Sequence, residues 1–267
     1  MNNEIKYSKK IINLVSGGAG FIGSHLIDVL IKKNEKVICL DNYLSGQISN
    51  IEKWMNHPNF EIIKHDVTEP IELDIKIDKI WHLASPASPI YYKSNPIRTS
   101  KIIFLGTYNM LELARKNRAI LLFASTSEIY GDPEVNPQAE GYKGSVNITG
   151  ERSCYNESKR VAETLCSDYQ RMYNLNIKIM RIFNSYGSRM RPDDGRVVSN
   201  FIFQALLGKS LTIYGNGSQT RSFCYVDDLI EGMIKLMDSS LNTPVNIGNP
   251  EELTIIELAN KIKNIIN

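Results

Sequence analysis

Tyr155 and Lys159 form a Y-x-x-x-K pair at the start of a segment with helical periodicity. A spacing of four residues places both side chains on one face of a helix. An ammonium group beside a phenol stabilises the phenolate, which lowers the pKa of the tyrosine from its reference of about 10 toward neutrality. Such a phenolate can remove a proton from a substrate hydroxyl group. The alternative is that Tyr155 is an ordinary, partly buried aromatic residue.

A second polar group follows an apolar segment that we predict to be a buried strand. Thr126, Ser127 and Glu128 come shortly after Ala119–Ala124, and parallel α/β sheets bind ligands at the carboxyl ends of their strands. We predict that Thr126 orients a substrate hydroxyl group and that Glu128 is an acid or base. The alternative is that both side chains cap a turn or a helix.

A glycine-rich loop lies between the first predicted strand, Ile11–Ser16, and the first predicted helix. Gly17, Gly20 and Gly23 have the spacing G-x-x-G-x-x-G, and Gly18 completes G-x-G-x-x-G. Glycines let the backbone approach a pyrophosphate, and the free N–H groups that begin the following helix can bind it. The position between a strand and a helix favours a dinucleotide site over a tight structural turn.

Two aspartates follow the next predicted strands. Asp41 comes after Lys36–Leu40, where a carboxylate accepts hydrogen bonds from the ribose of adenosine. The same charge repels a 2′-phosphate, so we predict NAD and not NADP. Asp66 comes after Phe60–Lys64 and is predicted to meet the amino group of adenine. The alternative for Asp41 is a helix cap.

The alternation of short apolar runs with helical patterns predicts an α/β fold, a Rossmann-type doubly wound parallel sheet. We predict residues 1–183 to be the NAD-binding domain with the catalytic helix, and residues 184–267 to be a small substrate-binding portion interleaved with it. Further predicted strands are Lys79–Leu83, Ala119–Ala124, Ile177–Phe183 and Leu211–Tyr214. Predicted helices are Phe21–Lys33, Asn95–Lys116, Arg152–Asn174, Val197–Leu207, Val226–Met237 and Thr254–Ile266.

Composition excludes several classes of function. The 267 residues carry a net charge of +2, which argues against nucleic acid or an anionic membrane as a partner. The four cysteines form no C-x-x-C pair and lie near no histidine at ligand spacing, so we expect no metal site and reduced thiols in a cytoplasmic protein. Met1–Lys10 is polar and unlike a signal peptide, and no apolar run is long enough to span a membrane.

Four longer segments carry a resemblance that covers almost the whole chain. They are Leu83–Pro89, Ser125–Glu134, Asp194–Asn200 and Tyr214–Phe223. In these segments the chain resembles the UDP-glucuronate decarboxylases of the extended short-chain dehydrogenase/reductase family. The related dTDP-glucose dehydratases carry Thr-Asp-Glu where this chain has Thr126-Ser127-Glu128.

The resemblance implies NAD-dependent conversion of UDP-glucuronate to UDP-xylose. Tyr155 would deprotonate the 4-hydroxyl group as hydride passes to NAD. The 4-ketone lies β to the carboxylate, so CO2 can leave, and the enol is then protonated at C5 before hydride returns to C4. Thr126, Ser127 and Glu128 would surround the carboxylate and C5. The resemblance also implies a homodimer, in which the helices Asn95–Lys116 and Arg152–Asn174 of two chains form a four-helix bundle.

The binding residues implied by the resemblance fall into two groups. The cofactor would contact Gly17, Gly20, Phe21, Ile22, Gly23, Asp41, Asn42, Ser45, Gly46, Asp66, Val67, Leu83, Ser85, Ala124, Tyr155, Lys159, Ser185, Arg191 and Arg196. The substrate would contact Pro86, Lys101, Asn184, Val197, Asn200, Tyr214, Gly215 and Arg221. Among these, Arg221 would pair with the diphosphate, and Tyr214 and Gly215 would flank the uracil.

The chain departs from the family pattern in two places. Lys101-Ile102-Ile103 replaces the usual Lys-Thr-Asn, and isoleucine cannot take part in the hydrogen-bonded relay that the asparagine joins near the catalytic lysine. The family also continues beyond the last predicted helix with an arginine-proline-aspartate segment, so we expect a C-terminally shortened substrate domain. These departures favour the alternative of a catalytically impaired NAD- or nucleotide-sugar-binding protein. A related 4,6-dehydratase or 4-epimerase is a further alternative.

Overall fold

The computed structural model describes residues 10–266 and shows a large parallel sheet with helices on both faces. The strands are β1 (Ile12–Ser16), β2 (Lys36–Asp41), β3 (Phe60–Lys64), β4 (Lys79–His82), β5 (Ile120–Thr126), β6 (Ile177–Ile182), β7 (Ser185–Tyr186), β8 (Thr220–Ser222), β9 (Cys224–Tyr225), β10 (Val245–Ile247) and β11 (Glu252–Thr254). The helices are α1 (Phe21–Lys32), α2 (Pro89–Ser94), α3 (Pro96–Asn117), α4 (Ser153–Tyr173), α5 (Val197–Leu206), α6 (Val226–Met237) and α7 (Ile255–Ile266).

The seven-stranded sheet has the order β10-β6-β5-β4-β1-β2-β3, and all of its pairs are parallel. The chain winds outward from β1 to β3 and then returns to the other side of β1 with β4. This reversal separates the connections that follow β1 and β4 and opens a crevice at their carboxyl ends. The predicted Rossmann-type doubly wound sheet is confirmed.

Helices cover both faces of the sheet, which explains why its central strands are continuous apolar runs. On one face Leu26 of α1 and Leu229 of α6 pack in a cluster with Val15 and Trp81. On the other face α3 and α4 pack around Phe123. The predicted helices Phe21–Lys33, Asn95–Lys116 and Arg152–Asn174 differ by at most one residue at each end from α1, α3 and α4.

The residues that follow β6 build a smaller lobe and also return to the large sheet. In this lobe α5 and α7 share a core that includes Phe201 and Leu258, and β8 pairs antiparallel with β11. β10 joins the edge of the large sheet beside β6. The chain therefore crosses between the two lobes more than once.

The prediction of a strand at Leu211–Tyr214 is wrong, since this segment has no regular structure. The segment is held to α5 by one side chain: Thr212 N–H donates to Oε1 of Gln204 at 3.0 Å, and Nε2 of Gln204 lies 3.1 Å from the Thr212 hydroxyl. A side chain of α5 thus occupies the Thr212 N–H that a partner strand would bind. The short elements α2, β7, β8, β9, β10 and β11 were not predicted, because a few residues carry too little periodicity.

Two findings concern the remaining expectations from composition. All four cysteines are free, and within residues 10–266 no group of three histidine, cysteine or acidic side chains is arranged to hold a metal ion. None of the described helices has both the length and the apolar character needed to cross a bilayer.

Candidate active site

A cleft of about 300 Å³ opens at the carboxyl ends of β1, β2, β4, β5 and β6. It lies at the reversal of strand order, where doubly wound sheets bind their ligands. One end is formed by the glycine-rich loop and the other by the start of α4 together with the loop that precedes α5. One cleft therefore contains predicted site residues from both halves of the chain.

The glycine-rich loop is shaped for a close backbone approach. Gly17 has a φ of +75°, and its N–H donates to the carbonyl oxygen of Leu40 at 2.8 Å. A Cβ atom on Gly17 would lie 2.8 Å from the backbone nitrogen of Ala84, and one on Gly23 would lie 2.3 Å from the carbonyl oxygen of Gly17. Only glycine fits these two positions, and the loop leads directly into the N-terminus of α1, which attracts anions.

Asp41 ends β2 and joins the glycine-rich loop to the turn that follows β2. Its Oδ2 accepts from Ala19 N–H at 2.9 Å, and its Oδ1 accepts from Tyr43 N–H at 2.8 Å. Burial raises the pKa of this carboxyl group, and the backbone hydrogen bonds from Tyr43, Ala19 and Asn42 oppose that effect. The side chain still lines the cleft, so it has a fixed position from which to meet the hydroxyl groups of a ribose.

Asp66 does not line the cleft, although its neighbours His65 and Val67 do. The Asp66 carboxylate accepts a hydrogen bond from Nδ2 of Asn42 at 3.0 Å and lies 3.6 Å from the guanidinium group of Arg98. Its carboxylate also accepts from the N–H of Thr68 at 3.0 Å, which holds the turn after β3. Its contact with adenine stays a prediction.

Tyr155 and Lys159 both line the cleft from the first turns of α4, and both are almost fully buried. Burial raises the pKa of Tyr155 to about 12, although a hydrogen bond from the Thr126 side chain acts to lower it. Burial also lowers the pKa of Lys159 to about 7, because an ammonium group is poorly solvated there. The expected lowering of the tyrosine pKa is therefore wrong for this structure, since loss of solvent outweighs the hydrogen bond from Thr126 and the charge of Arg196.

Thr126, Ser127 and Glu128 line the cleft opposite Tyr155, directly after β5. Thr126 Oγ1 accepts from the N–H of Glu128 at 3.2 Å and so caps the short 3₁₀ helix Ser127–Tyr130. Capping and contact with Tyr155 thus occur together, and the two interpretations of Thr126 do not exclude each other. The carboxylate of Glu128 is paired with Arg152, with Oε2 and Nη2 2.7 Å apart.

The structure gathers most of the predicted binding residues at the cleft. From the second half of the chain, Asn184, Ser185, Arg191 and Arg196 reach it. Arg191 holds Asp193 with two hydrogen bonds of 2.8 and 2.9 Å. The predicted residues that line the cleft from the first half, besides those described above, are Phe21, Ile22, Gly20, Asn42, Ser45, Gly46, Val67, Leu83, Ser85, Pro86 and Ala124.

Six predicted substrate residues lie outside the cleft. They are Lys101, Val197, Asn200, Tyr214, Gly215 and Arg221. Lys101 is exposed while Ile102, the next residue of α3, lines the cleft, because successive helical residues point about 100° apart. Ile103 is buried in the core between α3 and the sheet. Tyr214 is 78% exposed, and Arg221 donates to the carbonyl oxygen of Thr220 on the surface of β8.

Several residues of the site were missed in the sequence, above all Tyr92 and Arg152. The Tyr92 ring stacks on the Tyr155 ring with a centroid distance of 5.1 Å and an angle of 11°. Nε of Arg152 donates to the Tyr92 hydroxyl at 2.9 Å. Other missed lining residues include Asn50, Ser88, Arg189 and Asp194. Nothing in the local spacing signals the contact of Tyr92 with Arg152, which are 60 residues apart.

The donor set fits a dinucleotide. The glycine-rich loop leaves a space that Cβ atoms would fill, and the N-terminus of α1 offers N–H groups that can bind a pyrophosphate. The Asp41 carboxylate is held where it can accept hydrogen bonds from a ribose. At the other end of the cleft Tyr155, Thr126 and Glu128 surround the place where a substrate group can exchange protons.

Comparison with known proteins agrees with this arrangement. Residues 13–248 match the NAD dependent epimerase/dehydratase family. UDP-glucuronic acid decarboxylase 3 of Arabidopsis thaliana is 58% identical over 256 residues, covering 95% of this chain and 74% of the relative. UDP-glucuronic acid decarboxylase 1 of Danio rerio is 56% identical, over 95% of this chain and 60% of the relative.

A solved structure shows the same architecture with both ligands bound. The UDP-glucuronic acid 4-epimerase from Bacillus cereus, in complex with UDP-glucuronic acid and NAD, superposes with a TM-score of 0.83. The identity is 29%, over 96% of this chain and 83% of that chain. The chain thus belongs to the NAD dependent epimerase/dehydratase family and, within it, to the UDP-glucuronic acid decarboxylases.

Proposed function

We propose that this protein binds NAD and UDP-glucuronate in the cleft and converts UDP-glucuronate to UDP-xylose and CO2. The observation that carries the proposal is the meeting of Tyr155, Thr126 and Glu128 opposite the glycine-rich loop. The decarboxylase relatives at more than half identity support the choice of substrate.

The cofactor would be held by the residues of the first half. The glycine-rich loop and the N-terminus of α1 would bind the pyrophosphate, and Asp41 would accept hydrogen bonds from the adenosine ribose. The chemistry that NAD supplies when bound is reversible hydride transfer at C4 of the sugar. Because the hydride returns in the last step, NAD is needed only in catalytic amounts.

Tyr155 would remove the proton of the 4-hydroxyl group, with the Thr126 hydroxyl holding the phenol in place. The resulting 4-ketone lies β to the carboxylate and accepts the electron pair of the breaking C5–C6 bond as CO2 leaves. Glu128 lines the cleft beside this position, and its carboxylate, ionised in the pair with Arg152, would relay to C5 a proton taken up from solvent. Tyr155 gives its proton back to the oxygen on C4 when that carbon is reduced.

Product analysis tests the proposal. The purified protein, incubated with UDP-glucuronate and a small amount of NAD, is expected to release CO2 and to form UDP-xylose. Formation of UDP-galacturonate without CO2 would instead assign a 4-epimerase, the activity named for the structural neighbour from Bacillus cereus. Binding of both ligands without any product would assign the impaired binding protein that Ile103 favours.

We also propose that the protein is a homodimer. Ile97, Phe104 and Tyr108 of α3 are 72%, 40% and 44% exposed and share one face of the helix. Val161 of the adjacent α4 is 44% exposed. An apolar surface on two packed helices is suited to the same surface of a second copy, which would give a four-helix bundle.

We place the protein in the cytoplasm. The four free cysteines support this assignment, since thiols in that compartment are kept reduced. Fractionation of the source cells, with detection of the protein in the cytoplasmic fraction, tests it; recovery with the membranes or outside the cells would contradict it.

A further inference from the structure

Arg152 occupies a central position in the reactive part of the cleft. The residue immediately precedes α4, and its side chain is 50% exposed. Its Nη2 lies 2.7 Å from Oε2 of Glu128, and its Nε donates to the Tyr92 hydroxyl at 2.9 Å. Tyr92 in turn stacks on Tyr155. Glu128 and Tyr92 therefore fix the guanidinium group.

The other cations that line the cleft pair with groups other than Glu128. Three arginines are each paired with an aspartate: Arg189 with Asp28, Arg191 with Asp193 and Arg196 with Asp194. Lys159 is buried and donates to the carbonyl oxygen of Ala124 at 2.7 Å. Arg152 is thus the cation that is paired with Glu128, and Nε and Nη2 make its two contacts, so both N–H groups of Nη1 can serve a ligand.

The proposed substrate brings a second carboxylate to this place. This carboxylate is attached to C5, next to C4, whose hydroxyl group Tyr155 would deprotonate. Glu128 already contributes one negative charge nearby. Two carboxylates held close together repel each other unless a cation lies between them. A guanidinium group can bind both, because its planar donors point in several directions.

Building on the proposed function, we propose that Arg152 is the specificity-determining residue that holds the carboxylate of the sugar while it remains paired with Glu128. This contact selects an acidic sugar over a neutral one. When the carboxylate departs as CO2, the negative charge held by Arg152 departs with it, so the product is bound less tightly than the substrate.

Two ligands that differ only at C6 test the inference. Titrations of the NAD-loaded protein with UDP-glucuronate and with UDP-glucose compare a carboxylate with a hydroxymethyl group on the same nucleotide. The Arg152→Met variant should bind UDP-glucuronate ~10–100-fold more weakly, the value of a charge-assisted hydrogen bond, and should bind UDP-glucose as the wild type does. An equal loss for both ligands, or no loss for either, would overturn the inference.

A double variant separates direct contact from an effect through Glu128. If Arg152 only neutralises Glu128, Glu128→Gln should restore the binding of UDP-glucuronate in the Arg152→Met background, and that result would overturn the inference. If Arg152 holds the carboxylate itself, the loss should persist in the double variant. The matched control is Arg171→Met, an exposed arginine of α4 outside the cleft, which should leave both affinities unchanged.

Folding and the proposed reaction are checked independently. NAD affinity and the thermal midpoint report whether each variant is folded, and Arg152→Lys, which keeps the charge but not the fork, should show a smaller and still ligand-selective loss. Release of CO2 by the wild type tests the proposed function alone. Suppose that the wild type releases CO2 while Arg152→Met keeps its affinity for both ligands or loses affinity for both equally. In that case only the assignment of Arg152 fails.

Discussion

Lys159 lies one helical turn after Tyr155, but its ammonium group is anchored to β5. Nζ donates to the carbonyl oxygen of Ala124 at 2.7 Å and lies 5.9 Å from the centroid of the Tyr155 ring. Burial shifts the two pKa values in opposite directions, to about 7 for Lys159 and about 12 for Tyr155. In both residues burial disfavours the charged form. Tyr155 is therefore a neutral phenol in the unliganded site at neutral pH.

The burial of Lys159 predicts a pH-dependent cost to stability. Its pKa falls from 10.5 to about 7 on folding, so between these values the unfolded chain binds more protons and stability rises with pH. Below pH 7 the full cost is present, at most about 5 kcal/mol at about 1.4 kcal/mol per pKa unit. Lys159→Met should therefore resist urea better than the wild type at pH 6, and the difference should shrink by pH 10. The exposed substitution Lys209→Met should give no such trend; a difference for Lys159→Met that is constant with pH would contradict the prediction.

Removal of the Tyr155 hydroxyl should abolish turnover without loss of the cofactor. In Tyr155→Phe the ring can still stack on Tyr92, but no group remains to take the proton from the 4-hydroxyl. We expect the rate of CO2 release to fall by at least ~100-fold, the usual contribution of a positioned acid or base. NAD affinity, measured by titration, should be retained. Tyr173→Phe at the far end of α4 is the control, and turnover in Tyr155→Phe at the wild-type rate would remove Tyr155 from the mechanism.

Local patterns in the sequence predicted which residues line the glycine-rich end of the cleft. Gly17, Gly23 and Asp41 were found because each occupies a fixed place relative to an apolar strand or the start of a helix. Those places are set by short-range geometry, which one segment of sequence contains. The parallel order of strands then brings their carboxyl ends to one edge of the sheet.

Features that depend on tertiary contact could not be predicted in the same way. Arg152 and Tyr92 meet only because α2 packs near the start of α4. The exposure of Lys101 depends on the rotation of α3 about its axis, which turns Ile102 and not Lys101 toward the cleft. The direction of the Tyr155 pKa shift required its burial, which spacing alone does not give.

The glycine-rich loop should not tolerate a side chain at Gly23. A Cβ atom there would lie 2.3 Å from the carbonyl oxygen of Gly17, a backbone atom that cannot move without opening the turn. Gly23→Ala should therefore weaken NAD binding by at least ~100-fold, equivalent to more than about 2.7 kcal/mol. At Gly141 a Cβ atom would meet nothing within 4 Å, so Gly141→Ala is the control. Titration with NAD decides, and equal affinities in the two variants would show that the loop does not bind the cofactor.

Asp41 should discriminate between the two nicotinamide dinucleotides. Its carboxylate is fixed by the N–H groups of Ala19 and Tyr43, so it cannot turn away from a 2′-phosphate. We expect NAD to bind ~10–100-fold more tightly than NADP, because the carboxylate repels the 2′-phosphate. This ratio corresponds to a difference in binding free energy of about 1.4–2.7 kcal/mol. Asp41→Asn should narrow this ratio, because it weakens the binding of NAD and removes the repulsion between the carboxylate and the 2′-phosphate of NADP. A wild type that prefers NADP would refute the role of Asp41.

The exposed face of α3 and α4 should control assembly. Phe104 and Val161 lie on these helices and are 40% and 44% exposed. A glutamate at either position would place a charge in the centre of an apolar interface, where its desolvation opposes association. Light scattering at micromolar concentration should give the mass of a dimer for the wild type and of a monomer for Phe104→Glu and Val161→Glu.

The control for assembly is Ile148→Glu. Ile148 is also apolar and is 73% exposed, but it lies in the loop before α4 and on neither of these two helices. A general effect of an added negative charge on solubility or mass would appear in this variant as well, whereas loss of a specific interface would not. If all four proteins have the same dimeric mass, the dimer forms through another surface; if all are monomers, the apolar face of α3 and α4 has a different role.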